Sequence, residues 1–271
     1  MVVALGAWRA PPPAPGAVHL ALLDVGQGLA AVVQTRRHVL VYDTGPAFRS
    51  GTDTGLLVVE PYLRSRGVRT VDTLVASHDD DDHAGGAASV AQLLRVQELV
   101  ASGRALDPLG GVLPCRAGQH WTCDGVRFDW LHPSEPLLPD DNDRSCVLAI
   151  RVGSRLIVLT GDVEKLAEQH ILERWVSGPA DIVVVPHHGS RTSSSAGFVA
   201  ASRPRWALVS AGHRNRWGFP APAIVERWRD SGADVLQTSN SGAIEFDLVP
   251  GLPVEPPSRW RLAHARVWTD P

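Results

Sequence analysis

A stretch of seven residues limits what this chain can be. After the short apolar run Thr73–Ala76 comes Ser77-His78-Asp79-Asp80-Asp81-Asp82-His83, followed by Ala84-Gly85-Gly86. Four adjacent carboxylates repel one another and raise each other's pKa unless a cation neutralises them. Alternate residues of an extended segment point the same way, so His78, Asp80 and Asp82 can converge on one point. His83, where a helix would begin, can turn toward a second point. An acidic solvated loop is the plain alternative, but it gives no reason for imidazoles at both ends of the run. The spacing predicts a divalent-metal site carried between a strand and a helix.

The remaining chain supplies more donors of the same kind. Gly161-Asp162 closes an apolar run at 156–159, and Pro186-His187-His188-Gly189-Ser190 closes the buried run Asp181–Val185. Tandem histidines at the end of a buried strand, with a glycine that lets backbone approach a ligand, suit metal or proton chemistry. Asp43 and Asn142 sit at strand or turn ends. From there either could orient a ligating histidine through its other ring nitrogen, or simply belong to a turn.

The chain has 271 residues, is 44% apolar and carries a net charge of −3. That is globular composition with room for a sizeable core, and its mild acidity excludes a polyanion binder that works by bulk charge. Lys165 is the only lysine. No apolar run is long enough to span a bilayer, and Met1–Trp8 is too short for a signal peptide. Met1 is the only methionine, which suggests a start imposed on a piece of a longer chain. Cys115, Cys123 and Cys146 lack the spacing of a zinc cluster; buried thiols, or one disulfide with one free thiol, both remain open.

Three segments are expected: residues 1–17 as a proline-rich linker, 18–249 as one domain, and 250–271 as a proline-rich tail. Within the domain, residues 19–43 read as an antiparallel meander with a turn at Gly26-Gln27-Gly28. Helices are expected over 55–66, 84–100, 163–175, 194–201 and 222–231. Hairpins are expected around Asp124-Gly125 and between 146–152 and 156–159, with two closing strands in 235–248. Strands and helices in this order, with polar clusters at strand ends, fit a mixed α/β protein with helices covering stacked sheets.

The motif His78-x-Asp80-x-Asp82-His83-Ala84-Gly85-Gly86, then Gly161-Asp162, then His187-His188-Gly189-Ser190, resembles the metallo-β-lactamase superfamily. More narrowly, residues 19–249 resemble the lactamase-like domain of the ComEC family of DNA-uptake proteins. Further blocks in the same order are Leu23-Asp24-Val25-Gly26-Gln27-Gly28, Tyr42-Asp43-Thr44-Gly45, Pro61-Tyr62-Leu63-Arg64-Ser65-Arg66-Gly67, Asn142 to Leu148, Leu159 to Glu164 and His187 to Ser195. The fold implied is an αββα four-layer sandwich.

The activity implied is metal-dependent phosphodiester hydrolysis of DNA, acting on the strand that is not transported, on the periplasmic side of the inner membrane. The partners implied are DNA and the membrane-channel portion of the same ComEC-type protein. His78, Asp80 and one tandem histidine, His187, would hold one ion, Asp82 and His83 another, and Asp162 would bridge them. Asp82, His187 and His188 would serve the chemistry, with one tandem histidine protonating the leaving oxygen. Arg191, Thr192, Ser193, Arg214 and Arg216 would contact phosphate. Because Asp80 replaces the histidine usual in the superfamily, manganese is favoured, with magnesium or zinc possible.

In Trp217-Gly218-Phe219-Pro220, Phe219 stands where ComEC relatives often have histidine, and His213 is a candidate substitute ligand. That departure sustains a rival reading, a domain that binds or guides DNA without cutting it; a small-molecule metallo-hydrolase is another. The resemblance also favours a Cys115–Cys146 disulfide, with Cys115–Cys123 as the alternative pairing.

Overall fold

The apolar runs of the N-terminal half become strands buried on both faces. β1 (Val18–Leu22), β2 (Ala31–Gln34) and β3 (Val39–Tyr42) are buried throughout and pair as an antiparallel meander. Within β1, Leu20 and Leu22 enter one core while Ala21 enters another. Continuous apolar strands of this kind need cover on both sides. The computed structural model describes residues 11–175 and 178–264; Met1–Trp8 and the start of the expected linker lie outside them.

A π-helical turn (Gly55–Val59) leads into α1 (Glu60–Ser65), then β4 (Thr70–Ala76), a one-turn α2 (Asp81–Ala84), α3 (Ala87–Leu93), β5 (Arg95–Ala101) and β6 (Val112–Pro114). Next come β7 (His120–Cys123), β8 (Val126–His132), β9 (Val147–Val152), β10 (Arg155–Leu159), α4 (Lys165–Glu173) and β11 (Ile182–Val184). The chain continues through α5 (Ala196–Ser202), β12 (Trp206–Val209), α6 (Pro222–Asp230), β13 (Asp234–Gln237), α7 (Thr238–Ser241), β14 (Ile244–Leu248), β15 (Ser258–Arg259) and α8 (Trp260–Ala263). Among the described residues these strands form an eight-stranded sheet, β15-β14-β1-β2-β3-β4-β5-β6, and a seven-stranded sheet, β13-β12-β11-β10-β9-β8-β7.

Three buried clusters define the layers. Leu20, Leu40, Phe128, Ile150, Ile157 and Phe246 lie between the two sheets. Val59, Leu63 and Val90 pack helices on the outer face of the larger sheet. Ala167, Ile171, Phe198, Ile224 and Trp228 do so on the smaller. The result is the expected αββα sandwich.

The helix expected over 84–100 is only partly formed. It stops at Leu93, Leu94 turns extended, and Arg95–Ala101 becomes a strand parallel to β4. Val100 faces the inter-sheet core and Ala101 the outer one. The open edge of β4 offers a hydrogen-bond ladder that overrides the helical spacing of the leucines. The two closing strands are not a pair: β13 joins β12 in one sheet and β14 joins β1 in the other. The proline-rich tail returns to the fold, where β15 pairs with β14.

Cys115 and Cys146 are joined in a disulfide and Cys123 is free. Among the described residues no helix is long and apolar enough to cross a membrane.

Candidate metal centre

The donors arrive on loops that follow strands of both sheets. Residues 77–83 follow β4 of the larger sheet. Asp162 follows β10, and His187-His188 follow β11, in the smaller. The turn after β1 seats the first loop: Leu29 N–H donates to the Asp82 carbonyl at 3.0 Å. Gly28, at φ 130°, leaves so little room that an added Cβ would lie 2.2 Å from that same oxygen. His187 and His188 both adopt left-handed backbone, φ 48° and 52°. L-residues take that conformation at a cost of about 1 kcal/mol or more each, which the surrounding packing must offset.

In the described residues the imidazoles converge through their Nε2 atoms. His83 Nε2 lies 3.2 Å from His188 Nε2 and 3.1 Å from Asp162 Oδ1. His188 Nε2 lies 3.4 Å from both Asp82 Oδ2 and Asp162 Oδ2. Two donor groups result, each with its ligand atoms within 4.8 Å of one another: His78, His83 and Asp162, and Asp82, His83 and His188.

The opposite ring nitrogens are all engaged elsewhere. His83 Nδ1 bonds Asp43 Oδ2 at 2.8 Å, and His188 Nδ1 donates to the Ser210 carbonyl at 2.7 Å. His78 Nδ1 meets the Ser77 hydroxyl at 2.9 Å and that of Ser145 at 3.4 Å. Such anchoring sets the tautomer that leaves Nε2 free for a ligand. His78 Nε2 and Asp162 Oδ1 are buried without a well-aligned hydrogen bond, although Asp80 Oδ2 stands 3.5 Å from the first and His83 Nε2 3.1 Å from the second. Buried polar atoms left in this way are costly and rare, and a divalent ion between them is the partner this donor set fits.

The charges of the site are strongly coupled. Burial would raise the Asp162 carboxyl, but His188, His83 and His78 hold it well below the usual carboxylate range. Burial would lower His83, but Asp162 and Asp43 hold it well above the ordinary histidine value. His188 is raised against its burial by Asp162 and by its bond to Asp82. Asp82 is lowered, also against its burial, by His188 and His83.

Several expected site residues sit elsewhere. Asp80 is largely exposed, with Oδ2 3.5 Å from His78 Nε2, and belongs to neither donor group. His188, not His187, joins Asp82 and His83. His187 stands beside the cluster, its Nε2 3.8 Å from Asp162 Oδ2 and its Nδ1 3.1 Å from Glu164 Oε1. Ser193 is fully buried, and its hydroxyl donates to the carbonyls of Pro186 and Ser190. It ties the turn and is closed to phosphate.

Arg191 and Thr192 are exposed, with the Thr192 hydroxyl 3.3 Å from His187 Nδ1. Arg214 is exposed, Arg216 lies over the Trp217 ring, and His213 is exposed and in neither donor group. In the Asn142 block the working residues are its neighbours. Asp143 accepts from the Glu164 and Ala167 N–H groups at the start of α4. The Ser145 hydroxyl accepts from Asp162 N–H at 3.0 Å. Sequence reading missed Ser77, Ser145, Glu164 and Ser210. The first three stand in blocks already singled out, whereas Ser210 acts through its carbonyl, which no side-chain pattern announces.

Comparison with known proteins agrees with this geometry. Residues 23–213 match the family described as the metallo-beta-lactamase superfamily. The chain is 36% identical over 229 residues to competence protein ComA of Neisseria gonorrhoeae, covering 84% of this chain and 32% of that one. It is also 36% identical over 226 residues to recombination protein 2 of Haemophilus influenzae, covering 83% and 28%. The chain therefore spans about a third of the length of these relatives. Among solved structures, the metallo hydrolase Igni18 of Ignicoccus hospitalis shares the fold, with TM-score 0.55 at 16% identity over 84% of this chain and 98% of that one.

Proposed function

The chain belongs to the metallo-beta-lactamase superfamily, and from that premise we propose that it is a metal-dependent phosphodiesterase acting on DNA, part of a longer ComEC-type uptake protein. The carrying observation is the convergence of buried His78, His83, Asp162 and His188 with half-buried Asp82; two of the ligand atoms, His78 Nε2 and Asp162 Oδ1, lack a well-aligned hydrogen bond. Similarity to proteins named for competence and recombination favours DNA as the substrate. Degradation of the strand that is not transported fits the same setting. The Cys115–Cys146 disulfide supports an oxidising, extracytoplasmic compartment.

An ion would be held either by His78, His83 and Asp162 or by Asp82, His83 and His188; because Asp43 occupies His83 Nδ1, the one remaining ring nitrogen serves one ion at a time. Bound there, a divalent ion supplies Lewis acidity toward a water and a phosphoryl oxygen; with Asp80 outside both groups, each offers two imidazoles and one carboxylate, a set open to zinc as well as to manganese or magnesium. Asp43 and the Ser210 carbonyl orient His83 and His188 through their Nδ1 atoms. His187 lies outside both donor groups and is held by Glu164, so it is free to deliver a proton to the leaving oxygen. Arg191, Thr192, Arg214 and Arg216 are the accessible groups for phosphate.

The test is incubation with labelled single- and double-stranded DNA and Mn²⁺, Mg²⁺ or Zn²⁺, beside Asp82→Asn. Metal-dependent cleavage that disappears in the variant is expected. Equal cleavage by both proteins overturns the reading. One observation favours a second reading, a domain that guides DNA without cutting it: the Phe219 ring stacks on His188 at 6.2 Å. DNA binding that survives Asp82→Asn, with no cleavage by the parent chain under any metal, would select it.

A further inference from the structure

The loop between β12 and α6 carries an exposed indole two residues before a ring that packs on the tandem histidines. Phe219 packs on both tandem histidines, its ring centroid 5.6 Å from His187 and 6.2 Å from His188. Trp217 stands just before it and is 50% exposed; the intervening peptide units span at most about 7 Å. The loop between them is held in shape. The Asn215 side-chain amide donates to the carbonyls of Gly212 and Phe219, and its oxygen accepts from Phe219 N–H. The backbone that carries the indole is thereby fixed on either side of it, at Gly212 and at Phe219.

Arg216 adds charge to this platform. Its guanidinium carbon lies 4.2 Å from the Trp217 ring centroid, a cation–π contact that braces the ring. The half-exposed ring thus offers a braced apolar surface beside a cation. Arg214, also exposed, lies on the same loop.

We propose that Trp217 and Arg216 form a stacking platform that selects single-stranded DNA, receiving an unpaired base while the adjoining phosphate enters the metal centre. This rests on the phosphodiesterase reading and names the residues that set its strand preference. An aromatic face stacks on any base but needs the base unstacked from its neighbours, which a duplex interior does not offer. The guanidinium supplies the charge partner for the backbone beside that base.

The test separates binding from cleavage. Fluorescence anisotropy of a labelled oligothymidylate and of a closed-end hairpin duplex is read on the whole chain in EDTA. Trp217→Ala is expected to weaken oligothymidylate binding roughly tenfold, the size of one lost stacking contact, and to leave duplex binding within about twofold. Trp217→Phe, which keeps an aromatic face, restores most of the single-strand affinity. With Mn²⁺, the alanine variant raises KM for the single strand with little change in kcat.

The proposal is overturned if Trp217→Ala binds oligothymidylate as tightly as the parent chain, as it would were the indole a contact for another protein. It is also overturned if single-strand and duplex binding fall by the same factor. Failure of the phosphodiesterase reading looks different: the parent chain cleaves no DNA with any metal, while the binding contrast in EDTA is unaffected.

Discussion

His83 Nδ1 lies 2.8 Å from Asp43 Oδ2, and both side chains are wholly buried. The same carboxylate accepts from the Ser77 hydroxyl, and its other oxygen accepts from Ser77 N–H. Asp43 thus fixes the imidazole that both donor groups share together with the first residue of the metal loop. Asp43→Asn is expected to keep the fold and weaken Mn²⁺ binding by about 10- to 100-fold, the usual cost of losing such a partner. Competition with a fluorescent chelator measures it; unchanged affinity would count against the assigned role.

Metal binding should depend on pH with a definite sign. Burial works to lower His83 and His188, yet their neighbouring carboxylates raise both above the ordinary value. A ligating imidazole must be neutral, so an entering ion displaces protons. Affinity should therefore rise with pH, the increase extending above the ordinary histidine range, with protons released on binding. Calorimetry in buffers of different ionisation enthalpy reads the proton count, and a count of zero contradicts the coupling.

Gly28 should matter to the metal although it lies far from the ligands in sequence. Gly28→Ala drives a Cβ to 2.2 Å from the Asp82 carbonyl oxygen, whereas Gly26→Ala meets nothing within 4 Å although its φ is 76°. Both substitutions carry backbone strain of about 1 kcal/mol or more. Only the first should displace Asp82 and weaken Mn²⁺ binding, by roughly tenfold or more if one ligand is lost. Equal metal affinity in the two variants would refute the steric account.

The disulfide closes a span of 31 residues. Chain-entropy arguments assign such a loop about 3–4 kcal/mol. Cys146 N–H also donates to the Ser77 carbonyl, and the Tyr42 hydroxyl donates to the Cys146 carbonyl. Replacing both Cys115 and Cys146 by serine should lower the urea midpoint accordingly, and dithiothreitol should act on the parent chain but not on this variant. A midpoint insensitive to reductant would show that the cross-link contributes nothing.

The local features were legible in the amino-acid order. Donor chemistry at 78–83, the glycine turn at 26–28, the hairpins and the continuous apolar strands depend on nearest-neighbour geometry, and short-range physics predicts them. Tertiary structure decided the rest. Arg95–Ala101 became a strand because β4 presented an open edge, which no helical spacing foretells. His188 rather than His187 met Asp82 because its Nδ1 is tied to the Ser210 carbonyl on the neighbouring strand's loop. Ser145 and Asp143, not Asn142, support the site because the turn that carries them docks against Asp162 and the start of α4. Donor identity is a property of the residues; which nitrogen faces which oxygen depends on backbone pairings between segments distant in the chain.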